Sequence, residues 1–367
     1  MAHKSDKPDN PYRDLPPSAF WRTGVAEAGL FGYRNLWSSA WKLPKDARFS
    51  TFGSCFAQHI SRALLSREMN WFNGEPAPGK TPDHIASKYN YGVFSARTGN
   101  IYTAAQLLVW VELAAGLRDA ASVEYWEDGN GRWHDMLRPR IEPNGFISKE
   151  EAQASVASTA RSFARCITQS DVFVFTLGLT EGWINSKTGQ TYSICPGTGI
   201  GTFDPDAHQF HNYTYPEILE GLTKAFETMR GLNADLRVLL TVSPVPLVAT
   251  ASGDHVLVAT QYSKSVLRAV AGHLAQTDDT VDYFPSYEII AAPPTRAAFF
   301  EPNMRSIAPQ GVELVMKHFF SGLDLSGSAR HSSEKDAVAE AQAASERELS
   351  QEELVCEEMI LDKFNER

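Results

Sequence analysis

The chain has 367 residues, 43% hydrophobic and 21% charged with 25 Gly and 20 Pro, a near-average globular composition that excludes a wholly disordered chain, a collagen-like repeat and a disulfide-dense mini-protein. At roughly 150 residues per domain, one or two domains are expected. The net charge of −10 is uneven: from Leu323 to Arg367 twelve acids face five bases, so that stretch carries −7, and residues 1–322 show no basic cluster along the chain that would suit nucleic acid.

Read from the N-terminus, residues 1–44 form a leader, polar and Pro-rich as far as Pro17 and without an apolar signal core. No stretch of 18 apolar residues follows anywhere, so no membrane span is expected. Ala47–Phe52 reads as a strand that meets Gly53 and Ser54 at its end. Asp171–Leu177 and Leu236–Val242 are apolar enough to be strands buried on both faces, and Val281–Phe284 is a short fourth one stopped by Pro285. Between them, Gln58–Arg67, Ala104–Ala115, Glu150–Gln169, Pro216–Arg230, Gln261–Leu274 and Pro309–Phe320 carry apolar residues at helical spacing, with Pro216 and Pro309 suited to a first turn. Alternating strands and helices predict an α/β domain over 45–322 with a mainly parallel sheet. The Gly-, Trp- and Pro-rich stretch 119–145 reads as an excursion from that sheet. Residues 323–367 read as a linker and an acidic helical tail, which either docks on a partner or a second copy or stays solvated. A chain cut at Gly322 is expected to keep the fold. Cys55, Cys166, Cys195 and Cys356 lack zinc or CxxC spacing and read as reduced thiols, so the cytoplasm is the expected compartment.

In an open parallel sheet, ligands bind at the carboxyl edge, and that edge gathers the candidate residues. Ser54 follows the first strand as a candidate nucleophile or, alternatively, a helix cap. The second strand runs into Thr180 and Glu181. The third runs through Ser243-Pro-Val-Pro246 to a loop that ends at His255, a candidate general base. Gly197-Thr-Gly-Ile-Gly201 follows no strand and is not a dinucleotide loop.

Gly53-Ser-Cys-Phe-Ala57 is the signature of the GSCFA family, and the likeness continues through Tyr91–Tyr102, Phe175–Glu181, Leu240–Pro246, Tyr262–Arg268 and Tyr283–Glu288, over about residues 45–320. The sequence resembles that family, which is similar to the SGNH hydrolases. The resemblance implies a three-layer α/β/α flavodoxin-like sheet and acyl chemistry at Ser54, as an ester hydrolase or O-acyltransferase without cofactor or metal. The implied substrate is a small-molecule or glycan ester. The oxyanion-hole glycine of that pattern is represented by Gly92, or by Gly99 with Asn100, and its third block by Gly178 and Thr180, a hydroxyl where an amide is usual. The last block departs most: Glu301–Ser306 holds Ser306 in the place of the usual His. His255 is therefore the expected base. His59 lies five residues after Ser54, about 140° away around the helix, and His208 and His211 sit in a loop. Glu181 and Glu288 are candidates to orient the base, Glu288 alternatively being an internal ion-pair partner. Arg97, Lys264 and Arg305 either hold an anionic substrate group or pair internally. Trp110, Trp126 and Trp183 either stack on sugar rings or belong to the core. A rival reading is a non-catalytic ligand-binding or scaffold protein that keeps the pocket and lacks the base.

Overall fold

The structure, a computed structural model, describes residues 10–325, 360–361 and 364–365. In chain order the elements are β1 (Lys42–Leu43), β2 (Phe49–Gly53), α1 (Ala57–Ser66), α2 (Asp83–Lys88), α3 (Ala104–Ala114), β3 (Tyr125–Glu127), β4 (Trp133–Asp135), α4 (Lys149–Gln169), β5 (Val172–Leu177), β6 (Glu181–Asn185), β7 (Thr191–Tyr192), β8 (His208–Asn212), α5 (Tyr215–Leu232), β9 (Arg237–Val242), α6 (Val256–Thr277), β10 (Val281–Phe284), α7 (Ser286–Ala291), α8 (Pro309–Gly322) and β11 (Asp324–Leu325).

The four strands expected from apolar runs form the central sheet, in the order β10-β9-β5-β2 with every pair parallel. On the free side of β2 an isolated parallel bridge joins Phe49 to Trp71. Counted as a residual strand, this bridge completes the flavodoxin-like order 2-1-3-4-5. Side chains of β5 alternate between faces. Phe173, Phe175 and Leu177 enter a cluster with α3, α4, α5 and α6, whereas Val172 and Val174 enter another with α1, α7 and α8. The sheet is thus the middle of three layers. A slip of one residue would exchange the two clusters, and each buried Phe or Leu contributes about 1.5–3 kcal/mol, so the register is strongly fixed.

Helix starts are fixed locally. Thr103 with Gln106 and Thr214 with Glu217 form capping boxes for α3 and α5, and Ser148 accepts the Glu151 N–H at the head of α4. The excursion at 119–145 contains the β3–β4 hairpin. It is pinned by Arg138, which pairs with Asp135 at 3.0 Å, both side chains fully buried, and donates to Thr159 at 2.7 Å and Ser155 at 3.0 Å on α4.

Two features were not anticipated. The chain between β5 and α5 folds as an antiparallel sheet of order β7-β6-β8. At the other side, β1 pairs with β11, and Trp37 packs against Phe284 and Phe319 while its indole N–H donates to Asp282. Residues on either side of the sheet domain are therefore joined to each other and to β10. Cys55, Cys166 and Cys195 are free thiols; Cys356 lies outside the described residues. Among the described residues no helix is long and apolar enough to cross a membrane.

Candidate active site

β2 turns into α1 through Gly53, whose φ is +124° and where a Cβ would stand 2.3 Å from the Thr176 carbonyl oxygen of β5. Only glycine suits that combination of a left-handed backbone and close approach. The following Ser54 donates its N–H to the same carbonyl at 3.1 Å. It is 3% exposed, and its Oγ has no hydrogen-bond partner among the described residues. An unsatisfied buried hydroxyl costs about 1–3 kcal/mol, so its retention calls for a compensating role. The position supplies one: β2 and β5 are the first and third strands of the sheet order, and Ser54 lies at the carboxyl end of their junction, the switch point where such sheets bind ligands.

Two of the expected neighbours are in place. The Ile101 N–H donates to the Gly53 carbonyl at 2.9 Å, which sets buried Asn100 alongside the turn. A Cβ on Gly178 would lie 3.0 Å from the Ser54 Cβ, so the glycine leaves the serine its space. The turn at 178–180 is held by α6: Lys264, 1% exposed, donates Nζ to the Gly178 carbonyl at 2.7 Å, and Ser263 accepts the Thr180 N–H at 3.0 Å. The Thr180 hydroxyl donates to Asn212 at 2.7 Å. Both donors of Thr180 are thus engaged, and neither is directed at Ser54.

Glu181 and His255 are each held by other contacts. Thr250 donates to Glu181 Oε1 at 2.7 Å, tying the loop after β9 to the head of β6, and burial holds the Glu181 carboxyl above its ordinary range. His255 is exposed and caps α6, its Nδ1 accepting the Leu257 N–H at 3.2 Å. Ser263, eight residues on, is level with Thr180, which places His255 about 12 Å farther along the helix axis. No imidazole bonds to Ser54 Oγ among the described residues.

Most of the remaining candidates have partners elsewhere in the structure. Glu288 accepts from Arg268 and from the Tyr283 hydroxyl, the internal pairing held open for it. Arg97 donates to the carbonyls of Tyr89 and Ile141 and to Glu142, and stacks on Tyr91; Arg305 donates to the Pro246 carbonyl. His59 is buried against Phe56. His208 accepts the Asp204 N–H while His211 meets Glu217 at 2.8 Å, and no cluster of metal-ligating side chains exists among the described residues. Trp110 is core, and Trp126 and Trp183 pack against aromatic rings of the β6–β8 region. Gly92, with φ +73°, lies on the wall of a cavity of about 840 Å³ that Gln58, one turn of α1 beyond Ser54, also lines.

The cation-rich lining of this cavity, described below, has no counterpart in the sequence reading. Its members come from separate segments and form no run. Comparison with known families gives one finding: the family model described as the GSCFA family matches residues 48–319. No curated protein matches the chain.

Proposed function

The chain belongs to the GSCFA family, and from that premise we propose that it is a Ser-dependent ester hydrolase or O-acyltransferase working through an acyl-enzyme at Ser54. The observation that carries this reading is the buried Ser54 Oγ, without a partner among the described residues, at the β2–β5 switch point. Ser54 Oγ attacks the acyl carbonyl. Its proton passes to His255 and then to the departing alkoxide, and the acyl group goes on to water or to an acceptor hydroxyl. The Ser54 N–H is spent on Thr176, so stabilisation of the oxyanion falls to the Asn100 side-chain amide and the backbone at Gly178. Glu181 acts at one remove, holding the loop that leads to His255 through Thr250. With Nδ1 accepting the helix cap and the ring about 12 Å along α6 from the level of Thr180, taking a proton from Ser54 requires release of that cap and movement of the loop after β9 toward the serine. By analogy with the superfamily the substrate class is a carbohydrate or glycolipid ester.

A second reading, a ligand-binding protein without turnover, is favoured by the absence of any imidazole on Ser54 Oγ among the described residues. A fluorophosphonate probe separates the two. Labelling of the wild type and none of Ser54→Ala is the expected result. Equal labelling of both, or none of either, rejects the acyl-enzyme.

A further inference from the structure

The cavity beside α1 is bounded by four stretches of chain that are remote in sequence: α1 itself, 84–93, 134–143 and 194–200, with Ile360 closing one side. Its volume, about 840 Å³, falls within the range of small-molecule sites, roughly 300–1,000 Å³. Its charge is one-sided. Arg62, Lys88 and Arg140 line it, Arg62 being itself engaged, and among the described residues Glu142 is its one carboxylate, which Arg97 already neutralises at 2.7 Å. Lys88 and Arg140 are the cations of this lining that make no ion pair with any described residue. Arg140 is half-buried and makes no hydrogen bond or ion pair with any described residue. Gln58, 1% exposed, lines the same cavity with a buried Nε2 that has no acceptor among the described residues. A half-buried guanidinium without a partner has lost hydration, a cost that an anion beside Arg140 would relieve. The lining also has apolar members, Val93, Ile194, Ile200 and Ile360.

We infer that this cavity is an anion-binding site for a small amphiphilic molecule, whose phosphate or carboxylate meets Lys88 and Arg140 and whose hydrocarbon part lies along those apolar members. Because Gln58 is one helical turn from Ser54, the site would hold the anionic end of the molecule whose ester reaches the serine. That last link rests on the acyl-enzyme reading; the anion site does not.

The test is isothermal titration calorimetry on the full chain with hexyl phosphate, hexanoate and hexyltrimethylammonium. Binding of either anion and not of the cation is expected, and the stronger of the two identifies the headgroup. Arg140→Gln should weaken that binding about tenfold, the scale of one charge-assisted contact, while Arg140→Lys restores most of it, with melting temperatures recorded to show that each variant is folded. Absence of anion binding, equal binding of the cation, or an unchanged affinity in folded Arg140→Gln overturns the proposal. So does binding that emerges only when Glu357, Glu358 and Asp362 are changed to their amides, since the acidic tail of the chain would then be the natural occupant. Fluorophosphonate labelling of Ser54, measured separately, keeps failure of the anion site distinct from failure of the acyl-enzyme.

Discussion

Glu181 sits where a strand end, a loop and a helix cap are coupled, and its protonation has a calculable sign. Burial, the largest influence, holds its carboxyl above the ordinary value in the folded chain, while the Thr250 hydroxyl and the Ala251 N–H pull the other way and nearby Asp254 adds to the rise. The folded state therefore binds this proton more tightly than the unfolded one. Its stabilising contribution is full below the ordinary carboxylate value and is lost as pH rises through the raised one. At neutral pH the carboxylate is a net cost, and Glu181→Gln should be at least as stable as the wild type there, with the difference vanishing in acid. Urea unfolding at the two pH values checks this; a Gln variant clearly weaker at neutral pH would mean that the charge itself holds Thr250. At the same scale, Ser54 and Gly178 were legible because short motifs at strand ends mark the sheet edge. The engagement of Thr180 by Asn212 was not, since its partner lies 32 positions away on β8.

At the level of elements, the four sheet strands and six of the helices were legible because each is buried on a regular face, which imposes a period on the sequence. β6 and β8 are partly exposed along most of their length and their pairing is local to an irregular region, so no period announced them. The β3–β4 excursion is attached by chemistry rather than by pattern. Arg138 and Asp135 are both fully buried, and burial pushes the Asp135 carboxyl up against the pull of the guanidinium. Removing one partner strands the other: Arg138→Ala should cost about 3–5 kcal/mol, whereas replacing both residues by apolar ones of similar volume should cost much less. Denaturant titration of the single and double variants gives the comparison. A cost of Arg138→Ala below about 1 kcal/mol would place the anchoring in the apolar contacts of the hairpin instead.

For the whole molecule, the boundary of the folded unit follows from what closes on what. Gly322 accepts the Ser39 N–H at 2.8 Å and β11 pairs with β1, so a chain cut at Gly322 loses the strand that holds the N-terminal segment. A cut after Leu325 keeps it. Beyond that point the described residues include Ile360, whose Cδ1 would stand 3.5 Å from a Cβ on Gly199, a contact with the cavity wall rather than with either core cluster. The remaining tail is rich in Ala and Glu with few large apolar residues, too few to add a core of its own. We therefore expect a chain ending at Leu325 to melt in one cooperative transition within a few degrees of the full-length protein, to keep the same association state in sedimentation, and to retain labelling at Ser54. The cut at Gly322 should melt lower than the cut at Leu325, by the pairing of β1 with β11. If ending the chain at Leu325 abolishes the cooperative transition, residues 326–367 are part of the folded unit, and if it changes only the association state, the acidic tail is the surface through which copies of the chain meet.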